Sequence, residues 1–367
     1  VKPPVPDRIA TLSPYQPGRP IEEVERELGL SGTIKLASNE NALGASPAAL
    51  KAAAAALERV HRYPEGGVVL LRRALAERLG VAEDQLVFGN GSNEIIELAV
   101  RVFADGGREV VFSENAFMIY ELVARAEGAR PVAVPSRNFE HDLEALAAAV
   151  GPSTGVVFLA NPNNPTGTVF GRDAWNKFLA AIPGNVVIAV DEAYREFVDL
   201  PDFPDTVADL GRHPGLLAMR TFSKAYGLAG FRIGYGVGEA SLVDALERLR
   251  QPFNVNLPAQ EAALAALDDD EHLRRSRELV DEGRRFFSAL FDRLGLSFVP
   301  SHANFVLVAV GDGDAVTDAL LKGGVIVRPM GGYGYPHMIR VTVGTDAENA
   351  RFAQVLEDLL GGQEAEG

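Results

Sequence analysis

The chain has 367 residues, 47% of them hydrophobic and 23% charged, a composition that supports a sizeable core and a length that favours two domains. Its net charge of −15 speaks against a nucleic-acid binder and still permits a local basic pocket for a small anion. The lack of cysteine excludes disulfides, cysteine-bound zinc, iron–sulfur clusters and a thiol nucleophile.

Val1 to Pro6 carries no apolar segment of the kind a secretory signal needs, and no run approaches the ~18 apolar residues of a membrane span. A cytoplasmic enzyme is the first expectation, and a binding or scaffold protein the second. Residues 1–30 are rich in proline and charge and read as an N-terminal arm that enters a helix from Ile21 to Leu28. Alanine-rich Pro47–Arg59 predicts a second helix, and Val69–Leu79 a third, with the loop Arg62-Tyr63-Pro64-Glu65-Gly66-Gly67 between them.

Strands are then predicted at Gln85–Phe88, Glu109–Phe112, Arg130–Val134, Gly155–Leu159, Val186–Val190, Leu216–Arg220 and Gly234–Val237. Most are apolar runs without alternation, as strands buried on both faces should be. Helical segments separate most of them: Ser92–Phe103, Ala116–Glu127, Asp142–Ala149, Arg172–Ala181 and Thr206–Gly211. This alternation predicts a doubly wound, mostly parallel α/β sheet over residues 31–259. From Gln260 the texture changes. Helices at Gln260–Leu267, Asp270–Leu294, Asp314–Lys322 and Thr345–Leu360 accompany strands at Ser297–Val299, Phe305–Val310, Val325–Arg328 and Met338–Val343. Residues 260–360 read as a smaller α+β domain, and residues 361–367 as a disordered tail.

In open α/β sheets ligands bind beyond the carboxyl ends of the strands. There the sequence is polar and specific. Gly89-Asn90-Gly91-Ser92-Asn93 opens a helix whose first N–H groups suit an anion, although Ser92 could be an ordinary N-cap. Asn161-Pro162-Asn163-Asn164-Pro165-Thr166-Gly167 is a loop whose X-Pro pairs pin its amides. Asp191, followed by Glu192-Ala193-Tyr194, is either a helix cap or a buried carboxylate that holds a cation. Lys224 is one of six lysines, and it alone follows an apolar strand among small and aromatic residues, with Ser223 and Arg232 close by. A desolvated lysine near other cations has a lowered pKa and forms Schiff bases. Lysine for a carbonyl, carboxylate for a ring nitrogen, amide and phenol for a ring hydroxyl, and serine, arginine and helix amides for a phosphate together describe pyridoxal 5′-phosphate.

These motifs, in this order and spacing, resemble the fold-type-I pyridoxal-phosphate aminotransferases of the aspartate aminotransferase superfamily. Within that superfamily the chain is most similar to the histidinol-phosphate branch. The pieces that carry the resemblance are Lys35-Leu36-Ala37-Ser38-Asn39-Glu40-Asn41, Arg62-Tyr63-Pro64, Asn161 to Gly167, Asp191 to Tyr194 and Thr221 to Gly234. The resemblance implies that Lys224 forms the Schiff base and shuttles a proton. It implies that Asp191 pairs with the ring nitrogen, that Asn164 and Tyr194 bind the ring oxygen, and that Ser92, Asn93, Ser223 and Arg232 bind the phosphate. Phe117 takes the place of a ring-stacking aromatic that is often tyrosine. Tyr63 reaches the cofactor phosphate of a second subunit, so a homodimer with shared sites is implied. Tyr15, Asn39, Arg328 and Arg340 fall at substrate-binding positions, with Asn304 nearby. The implied substrates are histidinol phosphate and the 2-oxoglutarate/glutamate pair, and a related branch acting on phenylalanine or tyrosine carries similar cofactor residues.

One departure stands out: Ser113-Glu114-Asn115-Ala116 precedes Phe117, where many relatives have proline and threonine. A nicotinamide oxidoreductase would have to use Gly234-Tyr235-Gly236-Val237-Gly238, which lacks the G-x-G-x-x-G spacing. A cofactor-binding regulator without turnover would usually carry a basic DNA-binding segment, and none is present.

Overall fold

The computed structural model describes residues 4–14 and 18–366. Its strands, in chain order, are β1 Ile34–Lys35, β2 Leu86–Gly89, β3 Glu109–Ser113, β4 Arg130–Val134, β5 Thr154–Ala160, β6 Val187–Asp191, β7 Leu216–Thr221, β8 Gly234–Gly238, β9 Phe298–Val299, β10 Phe305–Ala309, β11 Val325–Ile326, β12 Arg328–Pro329 and β13 Met338–Thr342. Seven of them form one sheet in the order β2-β8-β7-β6-β5-β3-β4. Strands β3 to β7 run parallel, and β8 is antiparallel to both β7 and β2. The predicted doubly wound α/β architecture is therefore present.

Apolar runs without alternation become strands buried throughout, as in β5 and β6. The pleat sends successive side chains to opposite faces. Val157, Leu159, Ile188 and Val190 join a core with Trp175 and Phe178, whereas Val156, Phe158, Val187 and Ala189 join another with Ile95, Ile96 and Tyr120. Pro131 is tolerated because β4 is an edge strand.

A second, antiparallel sheet has the order β12-β13-β10-β9. The helix Asp270–Arg293 covers it with Val280, Phe287, Leu290 and Phe291. Side-chain caps hold several helices, including Ser46 on Ala49 N–H before Pro47 and Asp269 on His272 N–H.

The expected boundaries are crossed twice. Strand β1, grouped by sequence with the large unit, pairs in parallel with β11 of the C-terminal part. The helix Leu257–Leu267, grouped partly with the small unit, packs on Pro47–Ala56 and places Ala259, Ala262 and Ala263 in the large core. Two further expectations are corrected. Thr206–Gly211 is not a helix; turns and a 3-10 turn, Leu210–Arg212, form instead, since the run is short and ends in Gly211 close to Pro214. Residues 361–366, expected to be a tail, lie within the helix Asp346–Glu366. The helix Ala240–Glu247 was not anticipated. No helix among the described residues is long and apolar enough to cross a membrane.

Candidate active site

The carboxyl ends of β5, β6 and β7, the turn after β2 and the face of the second sheet converge on one cavity of about 200 Å³. Ser92, Asn93, Phe117, Asn164, Asp191, Tyr194, Ser223, Lys224, Arg232, Asn39, Arg328 and Arg340 all line it. Sequence reasoning thus named most of the polar wall.

At the end of β2 the turn closes on Gly91, whose φ is +81°. A Cβ there would collide with the Arg232 guanidinium, so the glycine is required by both conformation and space. Gly91, not Ser92, is the N-cap, and Ser92 is the first helical residue. Arg232 is itself held at φ +60° and donates from Nη1 to Ala229 O (3.0 Å) and Ser223 Oγ (3.4 Å). A strained cation, a hydroxyl and a helix N-terminus together make an anion cradle.

Asp191 ends β6 and is 6% exposed. Its Oδ1 accepts from Ala193 N–H (3.1 Å) and its Oδ2 from the Tyr120 hydroxyl (2.9 Å). Burial pushes its pKa up, opposed by those two hydrogen bonds and by the charge on Lys224. The capping alternative is met only as a local turn, since no α-helix follows directly. Sequence reasoning leaves the role of Tyr120 open. It is fully buried, stacked on Phe158 with ring centroids 4.6 Å apart, and edge-on to Phe117. The available signal was its position three residues after Phe117, on one side of the same turn.

Lys224 donates from Nζ to Ser38 O (3.1 Å). Burial, then the cations Arg340 and Arg232, lower its pKa to about 8 against the pull of Glu40 and Asp191. The Tyr194 hydroxyl accepts from Asn39 Nδ2 (2.9 Å), which leaves its own hydrogen available to donate. Burial raises the Tyr194 pKa above its ordinary value. Asn39 is buried at φ +55° and is tied through its N–H to Thr342 Oγ1 (3.0 Å).

The three loop asparagines divide their work. Asn161 bonds the backbone of Phe170, and Asn163 bonds Thr166 Oγ1 and Asn115 O, so both hold the loop. Asn164 alone lines the cavity, its Oδ1 accepting from Arg340 Nη1. Arg340 also donates to Ala37 O (2.8 Å) and lies over the Phe305 ring. On neighbouring antiparallel strands Arg328 and Arg340 sit directly opposite each other, so their side chains leave the same face.

One expected site residue is absent from the lining of this cavity. Tyr63 is 82% exposed and stacks on Phe253, away from the cavity of its own chain. Tyr15 lies outside the described residues.

The residues present fit pyridoxal phosphate. The cradle at Gly91 and Arg232 suits a phosphate dianion, Asp191 a ring nitrogen, Tyr194 and Asn164 a ring oxygen, and Lys224 an aldehyde.

The family model "Aminotransferase class I and II" matches residues 31–356. A histidinol-phosphate aminotransferase from Nitrosococcus oceani is 50% identical over 96% of this chain and 95% of its own length. One from Pseudomonas aeruginosa is 50% identical over 96% of each. Among solved structures, the histidinol-phosphate aminotransferase from Sinorhizobium meliloti in complex with pyridoxal-5′-phosphate superposes with a TM-score of 0.90, at 29% identity over 99% of both chains. Fold, cavity and sequence agree: the chain belongs to the class I and II aminotransferases, in the histidinol-phosphate aminotransferase group.

Proposed function

We propose that this enzyme transfers an amino group reversibly between L-histidinol phosphate and 2-oxoglutarate, forming imidazole-acetol phosphate and L-glutamate. The observation that carries the reading is the opposed pair Arg328 and Arg340 on one face of the second sheet. Two guanidiniums that leave one face at one register position offer paired donors to an anion. A phosphate of about −1.5 to −2 charge matches two guanidiniums, and a carboxylate can use the same anchor. Arg232 is separately committed beside Ser223, so cofactor and substrate anions have distinct cradles.

Bound pyridoxal phosphate supplies the carbonyl carbon that carries the amino group between half-reactions and the ring that accepts negative charge from the substrate Cα. The chain supplies the rest. Lys224, half neutral near pH 8, takes and returns the Cα proton. Asp191 holds a proton on the ring nitrogen, and the Tyr120 hydroxyl and Ala193 N–H keep its carboxylate oriented. Tyr194 and Asn164 face the ring oxygen. Ser92, Asn93, Ser223 and Arg232 anchor the phosphate, and Phe117 packs on the ring. Asn39, Arg328 and Arg340 receive the substrate.

We also infer a homodimer. Exposed Leu57, Val60, Tyr63, Leu70 and Phe253 suit a face covered by a second copy. Tyr63 then serves the partner's cofactor phosphate.

The substrate reading is tested by a donor panel. Histidinol phosphate should exceed phenylalanine, tyrosine and aspartate in kcat/KM; a higher value for phenylalanine replaces the reading with an aromatic aminotransferase. Asp191→Asn keeps shape and capping but cannot hold the ring proton, so turnover should fall by ~10²–10⁴-fold while the apoprotein melts normally. Unchanged activity would return Asp191 to a turn-forming role. Capture of the cofactor by apoprotein needs the neutral amine. Its rate should therefore rise with pH around a midpoint near 8 for Lys224, not near the ordinary lysine value of ~10.4. Arg340→Gln removes a neighbouring cation and should move that midpoint upward. Tyr63→Phe should weaken cofactor retention by roughly 1.5–3 kcal/mol, the worth of a hydrogen bond to a charged group. Sedimentation that finds a fully active monomer contradicts the shared site.

A further inference from the structure

Two stretches take no part in the chemistry described so far: Ser113-Glu114-Asn115-Ala116 and the loop Met330-Gly331-Gly332-Tyr333-Gly334-Tyr335-Pro336. They meet across the cleft between the two sheets. Asn115 Nδ2 donates to the Tyr333 carbonyl oxygen at 2.6 Å. The Asn115 carbonyl in turn accepts from Asn163 Nδ2 at 3.2 Å, in the loop that carries Asn164. Gly334 adopts φ +82°, and a Cβ there would stand only 3.0 Å from Asn115 Nδ2, so the turn and the amide are fitted to each other. The loop closes on itself through Tyr333 N–H to Met330 O and Gly334 N–H to Gly331 O, and Asn115 ties that turn to the opposite wall.

Tyr333 is 6% exposed and lines the same cavity as Lys224 and Arg340. Its phenol lies close enough to those of Tyr120 and Tyr194 to help raise both of their pKa values. Phe117, Tyr120 and Tyr194 are committed to the cofactor. In the remaining wall Arg328 and Arg340 are cations, Asn39 is polar, and Tyr333 is the one aromatic ring among the described residues. A ring carried by the amino donor has this surface to pack against, edge-on or offset. Glutamate, whose side chain ends in a charge, gains little from it.

We propose that Tyr333 is a donor-discriminating residue that packs on the ring of the amino donor, and that Asn115 is the positioning residue that seats it. This rests on the reading that one donor carries a heteroaromatic ring and the other is glutamate.

The test measures the two half-reactions of the holoenzyme separately, with histidinol phosphate and with glutamate. Tyr333→Leu should lower kcat/KM for histidinol phosphate about tenfold more than for glutamate, the discrimination that apolar contact supplies. The loss should fall mainly in KM. Asn115→Ala and Asn115→Asp, neither able to donate to the carbonyl, should shift the same ratio by roughly three- to tenfold, the worth of one hydrogen bond. The Asn115→Ala/Tyr333→Leu double variant should be no more selective-deficient than Tyr333→Leu alone. A merely structural role would depress both half-reactions together; an unchanged ratio overturns the proposal. Additive single effects overturn the role of Asn115. If Tyr333→Leu fails to fold, the ratio in the two Asn115 variants decides the matter. If the wild-type enzyme prefers phenylalanine, the substrate reading fails by itself. The ratio is then taken between phenylalanine and glutamate, and its loss or retention in the same variants upholds or overturns the assignment of Tyr333.

Discussion

The parallel register of β5, β6 and β7 is the constraint on which the rest depends. Ala160 lies opposite Asp191, and Asp191 opposite Met219. Three strands therefore end side by side, and the residues that follow them are delivered to one edge. Asn161 to Gly167, Asp191 to Tyr194 and Ser223 to Lys224 become neighbours although more than sixty residues separate the first from the last. A slip of one residue would turn Asp191 to the opposite face. The apolar runs on both sides of the sheet hold the register, since each strand is anchored in two cores at once.

That edge concentrates buried charge, and the charges are sorted by the pleat. Asp191 faces the cavity, where a phenol and an amide stabilise it. Glu192 points the other way and accepts from Arg220 Nε at 2.7 Å, both side chains nearly inaccessible to water. Removing either partner of such a pair costs about 3–5 kcal/mol, because the survivor is left charged and dry. One strand end thus carries a cavity-facing carboxylate on one face and a buried ion pair on the other. Within the cavity, the cations Arg340 and Arg232 act with burial to lower the Lys224 pKa.

The sequence was most legible where local pattern and function coincide. Unalternating apolar strands, punctuated by Gly, Asn and Pro at their carboxyl ends, located the sheet and most of the residues that line the cavity's polar wall. It was less legible where a role depends on a distant partner. Tyr120 reads as an ordinary apolar helix position because Asp191, its hydrogen-bond acceptor, is 71 residues away. Asn161, Asn163 and Asn164 look alike in a row, and only the folded loop decides which amide faces the cavity. Arg328 and Arg340 were named through resemblance, but their opposition follows from strand pairing that no local pattern encodes. Thr206–Gly211 has helix-like composition, but six residues that end in Gly211 close to Pro214 make a weak helix.

Strand β1 belongs to the second sheet's side of the molecule, yet it precedes the whole large sheet in the chain, and its partner β11 follows about 290 residues later. On a ribosome adding about 5–20 residues per second, Ile34 and Lys35 wait roughly 15–60 s for that partner. All seven strands of the large sheet have been made well before then. The Ser38–Asn39 segment, which brings a carbonyl to Lys224 and an amide to Tyr194, gains its β11 neighbour only when the C-terminal strands emerge. The order of synthesis thus presents the surroundings of Lys224 in sequence: the charged strand ends first, and the wall that closes over them only with the C-terminal strands.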